Sequence, residues 1–307
     1  MSFESLISKM ITFVALMLVG YVLARKKVLD KDFSRGLSFL VLNVFLSCTI
    51  LNSVINNRPQ FSGWELLRII GLLTLMIAIA YIVSALIVRI FKIKDENAPA
   101  FELLMSVMNN IFVGLPLLQS LFGSAPVLYC ALSCIPYNVF LYTYGVWRLK
   151  SGKNIAGGIQ LKDALTVPLI ETFIALIIFI FDIPVPTFLA ELISSTSAAT
   201  MPVSMIVIGV TLGGVSLVDA FKEKRVYIVS FVRLILIPAI TWCIMSALSS
   251  DSLFISIVTI LSACPSAVIV TVLALQYDYE PVFTSKSVLV TTVLSMLTLP
   301  AWVYIIV

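Results

Sequence analysis

The chain has 307 residues, 60% of them hydrophobic and only 12% charged, with a mean hydropathy of +1.10, whereas soluble domains carry roughly a quarter charged residues. It reads as an integral membrane protein, and its formal +4, from 20 Lys+Arg against 16 Asp+Glu, lies in short loops, where it sets orientation rather than affinity for nucleic acid. Histidine is absent, so metal-hydrolase and triad chemistry lose their commonest ligand and base.

A spanning helix takes about 20 mostly apolar residues. Ten such runs follow in chain order, at 3–24, 37–56, 64–91, 101–122, 125–148, 162–181, 188–217, 225–248, 254–276 and 283–306. The first is followed by Arg25-Lys26-Lys27 and lacks a small-x-small cleavage site, so it is a span rather than a signal peptide. The fourth and fifth are parted only by GSAP, and the seventh opens on the Ser/Thr-rich SSTSAAT. With the N-terminus outside, sixteen of the twenty basic residues fall in inner loops, from Arg25 through Arg89, Arg148 and Arg225 to Lys286. That bias is what the positive-inside rule predicts. The expectation is a multi-pass protein of the cell membrane with both termini extracytoplasmic.

The most polar loop, LKSGKNIAGGIQLK at 149–162, divides the ten spans into five and five. An odd number of spans per half makes any repeat inverted. The expected organisation is a first repeat at 1–150, a cytoplasmic linker at 151–162 and an inverted second repeat at 163–307.

Helix breakers fall in matching places. Gly114-Leu115-Pro116 interrupts the fourth span, and Ala263-Cys264-Pro265-Ser266 the ninth. Proline lacks the N–H donor and clashes with the preceding turn, freeing backbone groups that lipid cannot satisfy. Paired interruptions in corresponding spans point to a transporter's binding site. Half-helix N-termini carry partial positive charge and favour an anion such as a carboxylate. Asn109, Asn110 and Ser266 add side-chain donors and acceptors. The sequence thus assigns the substrate to Asn109, Asn110, Gly114, Pro116, Cys264, Pro265 and Ser266.

Four polar residues in spans are less determined, three of them deep and Glu102 near a span end. Asn43 is either a substrate contact or a helix–helix hydrogen bond. Glu171 lies about 12 Å deeper than Asp163 at the helical rise, as a coupling site or the partner of another polar span. Arg233 either snorkels or meets the anion. Glu102 reads as interfacial. The five cysteines, Cys48, Cys130, Cys134, Cys243 and Cys264, sit in apolar runs without CxxC spacing and read as small hydrophobes. No catalytic residue, metal ligand, cofactor motif or nucleotide-binding loop emerges.

The stretch NNIFVGLPLLQSLFG at 109–123 resembles the NxxFxGLPLxxxxFG signature of the auxin efflux carrier family, which includes plant PIN carriers and bacterial malate permeases. LSFLVLNVFLSCTIL, MPVSMIVIGVTLGG, VRLILIPAI and LSACPSAVIVTVLALQYDYEPVFTSK continue the similarity. The resemblance implies an all-α fold of ten helices in two inverted five-helix repeats, with broken crossing helices 4 and 9, like the sodium/proton antiporters and bile-acid symporters. It also implies a dimeric scaffold of spans 1, 2, 6 and 7, and a mobile domain of spans 3–5 and 8–10. The chain departs from the family in having Leu46-Ser47 where leucine-proline is usual, and Val167-Pro168 where asparagine-proline is usual.

The leading expectation is a secondary carrier of a small organic anion (malate, lactate or an auxin-like acid), working by elevator-type alternating access. It would act as a homodimer with no cofactor, driven by the solute's own gradient or by protons or sodium. The alternative is a solute- or lipid-sensing receptor on the same fold. An intramembrane enzyme lacks the paired acids or activated nucleophile it would need.

Overall fold

The computed structural model describes residues 3–29, 31–55, 63–93, 97–123, 126–153, 167–181, 183–214 and 216–306. Both chain ends, Asp163, and residues 154–162 of the expected linker lie outside the described residues. In chain order the helices are α1 (Phe3–Arg25), α2 (Lys31–Leu40), α3 (Leu46–Ile55), α4 (Gly63–Ile90), α5 (Ala98–Ser106), α6 (Leu115–Phe122), α7 (Val127–Phe140) and α8 (Val146–Gly152). They continue with α9 (Val167–Ile180), α10 (Thr187–Ala198), α11 (Thr200–Gly213), α12 (Leu217–Lys222), α13 (Arg225–Phe231), α14 (Ile237–Leu248), α15 (Ser252–Ser262), α16 (Ile269–Gln276) and α17 (Pro281–Ile306).

Six helical stretches among the described residues are long and apolar enough to cross a membrane: Gly36–Ile55, Gly63–Ile90, Val127–Gly152, Thr187–Gly213, Arg225–Leu248 and Pro281–Ile306. Shorter apolar stretches lie at Ile11–Arg25, Asn110–Phe122, Ile170–Ile180 and Ser252–Ser262. Large apolar side chains such as Trp64, Phe188 and Leu297 are exposed, while many serines and threonines are buried. That is the distribution expected of helices in lipid, where the solvent is as apolar as a leucine side chain.

Among the described residues four π-helical turns interrupt these helices, at Val41–Phe45, Asn110–Gly114, Leu141–Gly145 and Val232–Leu236. Two of them, Asn110–Gly114 and Val232–Leu236, have a common local cause. Proline cannot donate to the carbonyl four residues back and pushes against it, and a widened turn relieves the clash. Pro116 and Pro238 each stand second in the helix after such a turn. The Leu234 carbonyl, four residues before Pro238, accepts instead from Trp302 Nε1–H at 2.8 Å. The turn Val41–Phe45 is followed by Leu46 and Ser47 rather than by a proline. Ser47 Oγ lies 2.9 Å from the Asn43 carbonyl, so a side-chain hydroxyl takes the carbonyl that a proline would free.

The chain forms two compact units, each drawing on both sequence halves. One comprises 1–70, 111–135 and 165–214; the other comprises 71–110, 136–164 and 215–307. The first holds the expected scaffold spans 1, 2, 6 and 7, and also takes 111–135 from spans 4 and 5.

In the first unit α1 packs on α11 through glycines, and α3 packs on α9 and α10. Thr49 and Thr200 pair through their hydroxyls at 2.6 Å, and Thr200 Oγ1 donates to the Phe45 carbonyl at 2.9 Å. In the second unit α14 packs on α15, and α17 packs on α12 and α13. Glu102, expected at an interface, is buried there. Its carboxylate accepts from Tyr144 Oη and from Arg148 Nε, the latter at 3.0 Å.

Helix α15 is started by Asp251, whose Oδ1 accepts from the Leu253 and Phe254 amides at 3.0 and 3.1 Å. Asp251→Ala is expected to cost about 1 kcal/mol, read as a melting temperature about 2–4 °C lower in detergent.

Candidate functional site

Two helices rupture in the second unit, and the freed backbone of each satisfies the other. After α5 the chain is non-helical at 107–109 and resumes as a helix at Asn110; after α15 it is non-helical at 263–268. The two segments run antiparallel, with Met108 opposite Ser266. The Asn109 amide donates to the Pro265 carbonyl at 2.8 Å, and the Ala267 amide to the Val107 carbonyl at 3.0 Å. Buried backbone polar groups demand partners, and in a membrane only the protein can supply them.

The carbonyl ends of both half-helices are also satisfied. In the last turn of α5, Leu103 O accepts from the Val107 amide at 2.8 Å and Leu104 O from Ser266 Oγ at 2.6 Å. Met105 O and Ser106 O each accept from Arg233 Nη1 at 3.0 Å. In the last turn of α15, Thr259 and Ile260 accept from the Ala263 amide and Leu261 accepts from the Cys264 amide. Ser262 O accepts from Arg233 Nη2. A helix leaves its last four carbonyls without intrahelical donors, and here every one of the eight is bonded. The Ser266 amide turns to Thr291 Oγ1 on α17 at 3.3 Å.

Several expectations shift on this geometry. The sequence places the first rupture at Gly114-Leu115-Pro116; the structure places it at 107–109, with Gly114 ending a π turn and Pro116 inside the first turn of α6. Proline is at home there, because the first amides of a helix have no intrahelical acceptor. The second rupture contains Pro265 as expected. Asn109, Asn110, Cys264 and Ser266 are buried and lie at or beside the crossing, with Cys264 Sγ turned to the Ile260 carbonyl at 3.4 Å.

Arg233 does not snorkel: it is 0% exposed, with its guanidinium on carbonyl oxygens of two other helices. Asn43, Gly114, Pro116 and Glu171 belong to the first unit. The Asn43 amide donates to its own helix at the Phe39 carbonyl, 2.7 Å away. Glu171 is buried on α9; its Oε1 shares the single proton of Ser47 Oγ with the Asn43 carbonyl, since a hydroxyl has one to give. Its Oε2 is buried without a hydrogen-bond partner among the described residues.

Sequence reasoning missed Thr291 and Trp302. The signal for Thr291 is the polar stripe Thr284, Ser287, Thr291 and Ser295 along α17, all buried and three or four residues apart, hence on one helical face. Where the span Arg225–Leu248 begins, Arg225 bonds two loop carboxylates, Glu223 and Glu280, the closest contacts being 2.9 and 2.8 Å. The Arg225 hydrogen bonds hold the Glu223 carboxyl below its usual value of 4.5. Among the described residues, no group of three His, Cys, Asp or Glu side chains could hold a metal ion.

Comparison with known proteins bears on what such a crossing does. The sequence profile of a family described as membrane transport protein matches residues 5–156 and 153–303. An uncharacterized transporter of Methanocaldococcus jannaschii is 27% identical over 302 residues, 95% of this chain and 96% of that protein. An uncharacterized transporter of Methanothermobacter thermautotrophicus is 26% identical over 296 residues, 94% of each.

Proposed function

The chain belongs to the membrane transport protein family that includes the auxin efflux carriers, and from that premise we propose that it carries a small organic anion across the cell membrane by alternating access of the elevator type. The family consists of membrane transporters rather than enzymes. The observation that carries the reading is the antiparallel pairing of two ruptured helices at Met108 and Ser266. Non-helical backbone enclosed by protein at membrane depth is how carriers of this kind build a solute site.

The solute meets Asn109, Asn110, Cys264, Pro265 and Ser266. Its negative charge is favoured by the positive ends of the helices that resume at Asn110 and Ile269. In this reading the spans are ten, in two inverted repeats, with both termini extracytoplasmic and the protein a homodimer. The two-segment family match, meeting at 153–156, supports the division into halves. Nothing but a gradient is needed to drive it: that of the solute itself, or of protons or sodium.

The test is purified protein in liposomes offered labelled malate, lactate, succinate or indole-acetate under imposed pH, sodium or voltage gradients. Uptake of at least one acid well above protein-free liposomes is the expected result. Binding without flux would favour a receptor on the same fold, and neither binding nor flux of any acid would overturn the carboxylate assignment.

A further inference from the structure

We propose that Arg233 is the resident cation of a carbonyl cage at the helix crossing, occupying the place where a free monovalent cation would otherwise bind, so that the crossing takes its anionic solute without a sodium ion there. The inference about solute rests on the carrier reading above; the cage itself does not.

The cage is built from the ends of two helices. Met105 and Ser106 close α5, Ser262 closes α15, and their three carbonyls converge on one guanidinium. A helix C-terminus carries roughly half a negative charge, and such ends, with unwound carbonyls, are where interrupted helices coordinate sodium in carriers. Two of them pointed at one spot make a cation site with or without a side chain to fill it.

Arg233 fills it from a third helix. It sits in the π-helical turn Val232–Leu236, the widened turn that Pro238 induces, and its partners lie 128, 127 and 29 residues away in sequence. All three partners are carbonyl oxygens rather than carboxylates, so the positive charge is offset by dipoles alone and is not cancelled. A guanidinium does not lose its proton in a protein, so this cation is permanent. Nε is buried without a hydrogen-bond partner among the described residues, which leaves a donor on the group unused by protein. A fixed positive charge on the two helix ends that lead into the crossing does for an anion what a co-bound sodium would do, without having to be taken up and released in each cycle.

The experiment compares the full-length wild type with Arg233→Ala, Arg233→Met and Arg233→Lys, in detergent and in liposomes. Melting temperatures are read in choline, sodium and guanidinium chlorides at equal ionic strength, with urea as a shape control. The wild type is expected to melt alike in all the salts at millimolar concentration. Arg233→Ala is expected to melt lower and to recover about 3–5 °C, saturably, with guanidinium or sodium and not with choline or urea. Arg233→Lys, which still offers a compact cation, is expected to retain more of the wild-type melting temperature than Arg233→Met. Wild-type flux is expected to be unchanged when choline replaces sodium, and Arg233→Ala flux to rise at least threefold with added guanidinium.

An Arg233→Met protein as stable as the wild type would overturn the proposal. So would an Arg233→Ala protein with no ion-specific response, or a wild type saturably stabilised by sodium. Should Arg233→Ala not assemble, Arg233→Lys against Arg233→Met decides, equal loss in both counting against the cage. The thermal measurements need no transport, so a wild type that moves no solute would reject the carrier reading and leave the cage standing.

Discussion

Gly209→Leu is expected to lower the stability of the protein by about 3–4 kcal/mol, the upper end of what overpacking does. A Cβ at Gly209 would stand 2.0 Å from the Met17 carbonyl oxygen and 2.8 Å from its carbon, and a Cβ at Gly20 would stand 2.2 Å from the Ile206 oxygen. The two glycines thus set the backbones of α1 and α11 directly against each other. Gly213, one turn on from Gly209, continues the contact, its Cβ position 2.6 Å from that of Ala24. The obstructing atoms are backbone, fixed in helices by their own hydrogen bonds, so relief requires moving one whole helix from the other. In lipid no hydrophobic force draws the helices back; close packing of small residues is itself the attraction. Gly71, whose Cβ would meet nothing within 4 Å, supplies the control: Gly71→Ala is expected to be neutral or slightly stabilising. Thermal unfolding in detergent reads both, and a Gly209→Leu protein that melts like the wild type would mean that α1 and α11 do not touch there.

That contact was only half legible beforehand. Gly209-Val210-Thr211-Leu212-Gly213 has the spacing of a helix-packing motif, but nothing in it names Gly20 as the partner. The same limit runs through the site. The apolar runs locate the helices because each is a local pattern, and the rupture at Pro265 is legible because proline acts on its own turn. The rupture at 107–109 contains no proline. It stays open because Asn109 and Val107 bond Pro265 and Ala267, more than 150 residues away, an arrangement that no local pattern encodes. Pro116 misleads for the converse reason. It signals a stressed turn, but the stress is absorbed by the π turn at Asn110–Gly114, and α6 begins without a gap. Arg233 is visible in the sequence as a charge inside a span. Its partners are main-chain atoms, which every residue has, so the sequence leaves snorkelling and anion contact equally open.

Pro265→Ala is expected to lower flux about 10- to 150-fold while leaving assembly and melting temperature close to wild type. Alanine restores an amide and removes a penalty of about 3 kcal/mol against helix, so α15 gains the option of running on through 263–268. A helix continued there would claim the Ser262 carbonyl for the amide of residue 266, displacing Arg233 Nη2, and would withdraw the residue 265 carbonyl from Asn109. The crossing would then close without unfolding anything, which is why function falls before stability. Asn110→Ala acts on the solute rather than on the backbone. A hydrogen bond to a charged group contributes about 1.5–3 kcal/mol, or about 10- to 150-fold in flux if that bond is made to the anion. Pro116→Ala is expected to lower flux less than Pro265→Ala does, because its proline stands in a helical first turn and holds no rupture open. Liposome uptake of the best carboxylate, with monodispersity in detergent as the measure of assembly, ranks the three. Wild-type flux in both Asn110→Ala and Pro265→Ala would remove the crossing as the solute site, and a Pro116→Ala defect as large as that of Pro265→Ala would move the site toward Gly114.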